Sequence, residues 1–125
     1  MPRNVADVTE TELAILDVLW TRGESAVRDI VETLYTEHTP TLHMTVKSLL
    51  ERLEAKGYVQ CDRSGFAHRF SAKVTRETHV GRQLMQLAES HFNGAVTPML
   101  LTLVERTKLS RKDREAIRRI IEGIE

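Results

Sequence analysis

The chain carries a single cysteine, Cys61, among 125 residues. Without a second thiol there is no internal disulfide and no thiolate-rich metal site, and the cytoplasm is the expected compartment. Only three prolines are present, while hydrophobic residues make up 41% and charged residues 29%. This balance excludes a disordered or fibrous polymer and describes a chain that folds. No apolar run approaches the ~20 residues that a membrane-crossing helix needs. The longest, VTPMLLTLV, is broken by Pro98, and the opening MPRNVADVTE lacks the apolar core of a secretory signal. No membrane insertion is expected.

Motifs that carry chemistry are equally scarce. There is no GxxxxGK[ST], no GxGxxG and no GxSxG. His38, His43, His68, His79 and His91 form neither an HExxH nor an HxxxH pair, so no metal and no other cofactor is expected. Glu10 and Glu12 fall at a helix start, where the backbone dipole accounts for two carboxylates without catalysis. An enzyme is not expected. Cys61 reads as a small hydrophobe packed under a hairpin, with an oxidant-sensing thiol as the alternative.

What the chain does have is an uneven charge distribution. Lys and Arg total 18, as do Asp and Glu, yet the balance shifts along the chain. Residues 1–40 hold three Lys/Arg against eight Asp/Glu, residues 41–73 hold six against three, and residues 74–125 hold nine against seven. The middle third is the basic one.

Hydrophobic spacing supplies the elements. Thr9 followed by Glu12 is a capping box that starts a helix over 10–22. Leu13, Leu16, Leu19 and Trp20 share its inner face, and Gly23 stops it. Ser25 is the expected cap of a second helix that buries Val27, Ile30, Val31 and Leu34. Pro40 separates it from a third helix, which turns Val46, Leu49, Leu50 and Leu53 inward and ends at Gly57. The period then changes to two. YVQCD and FAHRF alternate around Ser64-Gly65, read as a turn that reaches positive φ. Three more helices follow, at 76–92, 98–106 and 111–122, with Pro98 at a first helical position after Thr97 and Ser110 capping onto Asp113.

Two short helices with a tight break, a third helix and a hairpin form the winged-helix order. The expected fold is mainly α: a winged helix-turn-helix domain over residues 1–73, with a two- or three-stranded wing, followed by a helical dimerisation domain over 74–125. The second part carries Leu84, Leu100, Leu103, Val104, Ile117, Ile120 and Ile121, with Val80, Leu87, Met99 and Ile124. That is more apolar surface than three short helices can hide, and a second copy of the chain is the simplest cover.

If the third helix buries Val46, Leu49, Leu50 and Leu53, then Met44, Thr45, Lys47, Ser48 and Arg52 project outward. Thr45, Lys47 and Ser48 near its start suit base edges in a DNA major groove, and Arg52 suits a phosphate. Glu51 and Glu54 on the same helix equally suit an ordinary solvated face. Arg63 beside the turn and Arg69 on the returning strand add cations where a wing meets a DNA backbone.

The stretches TELAILDVLWTRGESAVRDIVETL, TVKSLLERLEAKGYV and RSGFAHRFSAKV, with the tail LSRKDREAIRRIIEGI, resemble the BlaI/MecI/CopY family of penicillinase and methicillin-resistance repressors. The resemblance implies a homodimeric repressor on a palindromic operator that controls resistance genes and is released through a membrane-bound sensor protease. It places base contacts on Met44, Thr45, Lys47 and Ser48, backbone contact on Arg52, and wing contacts from Arg63 to Arg69. The chain departs from the pattern at Met44, where relatives often carry Thr or Lys, and at Phe66, where a basic residue is common. Thr102-Leu103 stands where the family has an Asn-Phe cleavage pair. Copper sensing through a cysteine-rich tail is not expected. Two other readings use the same scaffold: a regulator with a small-molecule pocket between its halves, and a protein-interaction module that does not touch DNA.

Overall fold

The computed structural model describes residues 8–123. Its elements run α1 (Glu10–Arg22), β1 (Ser25–Ala26), α2 (Val27–Leu34), α3 (Pro40–Ala55), β2 (Val59–Asp62), β3 (Arg69–Ala72), α4 (Arg76–Phe92), α5 (Val96–Arg106) and α6 (Arg111–Glu122). The fold is a winged helix followed by further helices, as expected. Ile124 lies outside the described residues.

At the start of α1 the capping box is complete. The Glu12 amide donates to Thr9 Oγ1 at 3.2 Å, and the Thr9 amide donates to Glu12 Oε1 at 2.9 Å. The helix buries Glu12, Ile15, Leu16, Val18 and Leu19, a stripe at spacings of three and four. Leu13, expected on that stripe, sits at its edge and stays exposed. Gly23 ends the helix at φ 90°, a conformation that an L side chain adopts only under strain.

Ser25 does not cap α2. It lies buried in β1, and its hydroxyl donates to the Gly23 carbonyl at 2.9 Å. The cap is Ala26, whose amide donates to Asp29 Oδ2 at 3.0 Å. The helix therefore starts one residue later, and a carboxylate in its first turn satisfies the cap amide while no side chain caps the first-turn amides as the serine was expected to. Thr39 caps α3 by accepting from the Leu42 amide at 3.1 Å, and Pro40 is the first helical residue rather than a spacer before it. Val46, Leu50 and Leu53 are fully buried, while Leu49 is half-buried.

The wing has three strands in the order β1-β3-β2. β3 pairs antiparallel with both neighbours, so that Phe70 faces Cys61 on one side and Ser25 on the other. The tip also differs from its sequence reading. The returning strand starts at Arg69 rather than Phe66, and Gly65 is not among the positive-φ glycines. Asp62 makes the turn instead, accepting from the Ser64 amide at 2.9 Å and the Ser64 hydroxyl at 2.6 Å.

One core joins these elements: Ile15, Leu16 and Leu19 from α1, Ile30 and Val31 from α2, Val46, Leu50 and Leu53 from α3, then Tyr58, Val59 and Phe70. The segment after β3 is tied to α1. Trp20 Nε1 donates to the Val74 carbonyl at 2.8 Å, the Arg76 guanidinium lies 5.4 Å from the Trp20 ring centre, and the His79 ring stands edge-on to Tyr58 at 5.4 Å. The first compact unit accordingly extends to Val80, and the second begins at Gly81.

In the second unit Ala88 is the one fully buried described residue. α5 and α6 bury none. α5 starts at Val96, which moves Pro98 from the expected first position to the third. The first turn still tolerates it, because amides there have no partner within the helix. Ser110 caps α6 by accepting from the Asp113 amide at 3.0 Å.

Candidate nucleic-acid interface

The buried stripe of α3 fixes what its other face presents. Met44, Thr45, Lys47, Ser48 and Arg52 are all exposed, as is Glu51 among them. Met44 is 63% exposed. Lys47 and Arg52 make no ion pair among the described residues. Thr45 donates its hydroxyl proton to the Thr41 carbonyl at 2.9 Å, so it meets a partner as an acceptor. On sequence Thr45 and Lys47 are the leading base contacts; back-bonding within the helix leaves Thr45 only its lone pairs to offer.

The wing arginines are differently placed. Arg63 grips Glu54 of α3 with both ends of its guanidinium, Nη1 to Oε2 at 3.0 Å and Nη2 to Oε1 at 2.8 Å. The hydrogen bond from Arg63 holds the Glu54 carboxyl below its ordinary range. Arg69 reaches Glu24, donating from Nε to Oε1 at 3.0 Å and from Nη2 to the backbone carbonyl at 3.1 Å. Both cations thus stitch the wing to the helical body, and fork-shaped pairing of this kind fixes direction as well as distance.

Between the start of α2, α3 and the wing lies a cleft of about 270 Å³, lined by Val27, Arg28, His43, Lys47, Phe66, His68 and Phe70, with Ala26 and Ala67. Of its polar residues, sequence reasoning named Lys47 as functional and covered His68 only within the wing span from Arg63 to Arg69. The i, i+4 spacing of His43 and Lys47 was the available signal for His43. Arg28 and His68 arrive from other elements, and no local pattern in the sequence marks them.

The turn into α3 is fixed by a second unforeseen contact. His38 Nε2 and His43 Nδ1 lie 2.8 Å apart with perpendicular rings. These positions flank the cap as the two halves of a hydrophobic staple normally do, with an imidazole hydrogen bond in place of the apolar contact. No three His, Cys, Asp or Glu side chains converge among the described residues. Cys61 is half-buried on β2, and burial is the main cause pushing its thiol above the ordinary range. Among the described residues no helix is long and apolar enough to cross a membrane.

A helix-turn-helix whose third helix bears free cations, braced by a three-stranded wing, defines a winged-helix regulator. The chain belongs to the penicillinase repressor family, whose model matches residues 8–123. It is a transcriptional repressor and not an enzyme. The transcriptional regulator BlaI of Mycobacterium tuberculosis, in strains CDC 1551/Oshkosh and H37Rv, is 31% identical over 118 residues, covering 93% of this chain and 83% of the relative. An uncharacterised 16.5 kDa protein from the ptsI 3′ region of Latilactobacillus sakei is 24% identical over 113 residues, covering 90% of this chain and 77% of that protein.

Proposed function

We propose that the chain represses transcription by binding a palindromic DNA operator as a cytoplasmic homodimer, controlling resistance or stress genes. The observation that carries this reading is the exposed face of α3, where Lys47 and Arg52 have no carboxylate partner among the described residues and Met44, Thr45 and Ser48 stand beside them. Residues near the start of such a helix reach base edges in the major groove, while a cation further along grips a phosphate. Arg63 and Arg69 act by setting the wing's position against Glu54 and Glu24.

Pairing of two chains supplies the second α3. Leu84, Leu100, Leu103, Val104, Ile117, Ile120 and Ile121 are between 41% and 64% exposed in the single chain, an apolar area that a partner copy covers. An isologous dimer matches a two-fold operator whose half-sites lie about 34 Å apart, one helical turn of DNA.

The test is fluorescence anisotropy on a duplex selected by the wild-type protein from a random library. Lys47→Ala is expected to raise Kd by about five- to 140-fold, the effect of removing one good base contact worth about 1–3 kcal/mol. Unchanged affinity would remove α3 from the interface.

A further inference from the structure

Phe66 at the wing tip is 111% exposed, more than any other large hydrophobic side chain described. A phenylalanine left in water forgoes the free energy of burial, and among the described residues of its own unit nothing covers it. The tip that carries it is nevertheless well anchored. Asp62 locks the turn through Ser64, while Arg63 and Arg69 tie the two sides of the loop to Glu54 and Glu24. The ring is therefore held out at a set place. Those same ion pairs occupy the two arginines flanking the tip, so the segment from Ser64 to His68 offers a partner an aromatic ring rather than a free guanidinium.

The adjoining cleft says what kind of partner this is. Lys47 enters it from α3 and Arg28 from α2. Arg28 uses Nε on Glu32 at 2.7 Å, leaving its two terminal nitrogens for another acceptor. A surface that joins two cations to an apolar ring fits a strand that alternates anionic and apolar groups, and the sugar-phosphate backbone of DNA is such a strand.

We propose that Phe66 is the wing's contact to DNA, packing against deoxyribose and base edges in the minor groove while Arg28 holds a neighbouring phosphate. Apolar side chains serve this way in minor grooves, where they add affinity that does not depend on counterion release. The proposal rests on the DNA-binding reading above and adds to it how this wing works without free arginines.

The experiment measures Kd for the selected duplex at several KCl concentrations between about 50 and 300 mM, a range over which phosphate contacts weaken steeply, with full-length wild type, Phe66→Ala and Phe66→Lys. Phe66→Ala is expected to weaken binding about tenfold at every salt concentration, with an unchanged slope of log Kd against log salt and an unchanged melting temperature. Phe66→Lys is expected to recover affinity at low salt and to steepen the slope by about 0.9 for each phosphate newly neutralised. If the wild type binds no duplex at all, the DNA-binding reading itself falls. If the wild type binds and Phe66→Ala stays within twofold of it, the wing proposal alone falls. A variant with intact DNA affinity but altered sedimentation would make Phe66 a protein contact and also overturn the proposal.

Discussion

Lys56 Nζ lies 2.7 Å from Glu12 Oε1, joining the end of α3 to the start of α1 across 44 positions of sequence. The Glu12 side chain is fully buried, and the same oxygen also accepts from the Thr9 amide. One carboxylate thus caps α1 and anchors the helix that carries the candidate DNA contacts. Burial alone raises the Glu12 pKa, but the hydrogen bond and charge of Lys56 and the bonds from Thr9 outweigh it, so the net shift is downward.

Lys56→Met removes the partner and leaves a buried carboxylate, which costs about 3–5 kcal/mol. Urea unfolding at fixed protein concentration is expected to show this loss at pH 7. The pH dependence has a definite sign. Because the folded-state pKa is depressed, the stabilisation is present above the ordinary value of 4.5 and disappears as pH falls through the lowered one. The gap between wild type and Lys56→Met is therefore expected to narrow in acid. A gap that persists unchanged at pH 3 would mean that the lysine stabilises by packing alone.

The pairing of Arg63 with Glu54 makes a second prediction, opposite to the sequence reading of a phosphate contact. Arg63→Ala is expected to leave the salt slope of DNA binding unchanged while weakening binding a few-fold through a looser wing. Arg52→Ala, at the position suited to a phosphate, should lower the slope by about 0.9 for each phosphate it no longer neutralises. Equal reductions in slope for the two variants would show that Arg63 leaves Glu54 for DNA.

Cys61 provides a chemical test of the oxidant-sensing alternative. Burial is the largest influence raising its pKa, with Glu54 and Asp62 adding to it and Arg63 opposing. Less thiolate means slower attack on electrophiles. Iodoacetamide labelling at pH 7.5 is expected to be at least tenfold slower in the folded protein than in urea. Labelling as fast as in the unfolded chain would reopen a redox role.

The helices were legible from sequence because each has an apolar stripe and most have a side-chain cap, and Thr9, Thr39 and Ser110 all accept as cap residues do. β1 was not legible, since two residues are too few to show alternation, and this is why Ser25 read as a cap. The exposed face of α3 followed directly from its buried stripe. The fate of Arg63 and Arg69 did not, because their carboxylates lie 9 and 45 positions away in sequence, where no local period brings them into view. The cleft around Lys47 was hidden for the same reason: Arg28 and His68 meet it only through tertiary packing.

The second unit makes the sharpest demand on assembly. Ile120 and Ile121 of α6 are 64% and 59% exposed, and Leu103 of α5 is 62% exposed. Exposed side chains contribute little to the folding of a single chain, so replacing one by a charge is expected to spare the fold and to block the covering of that face. Ile120→Glu should sediment as a monomer at micromolar concentration with wild-type helicity by circular dichroism. Its operator affinity should fall by more than tenfold, because one winged helix then makes half the phosphate and base contacts. Wild-type dimerisation by Ile120→Glu would exclude this side chain from the subunit interface. Full operator affinity from a proven monomer would remove the two-fold arrangement on DNA.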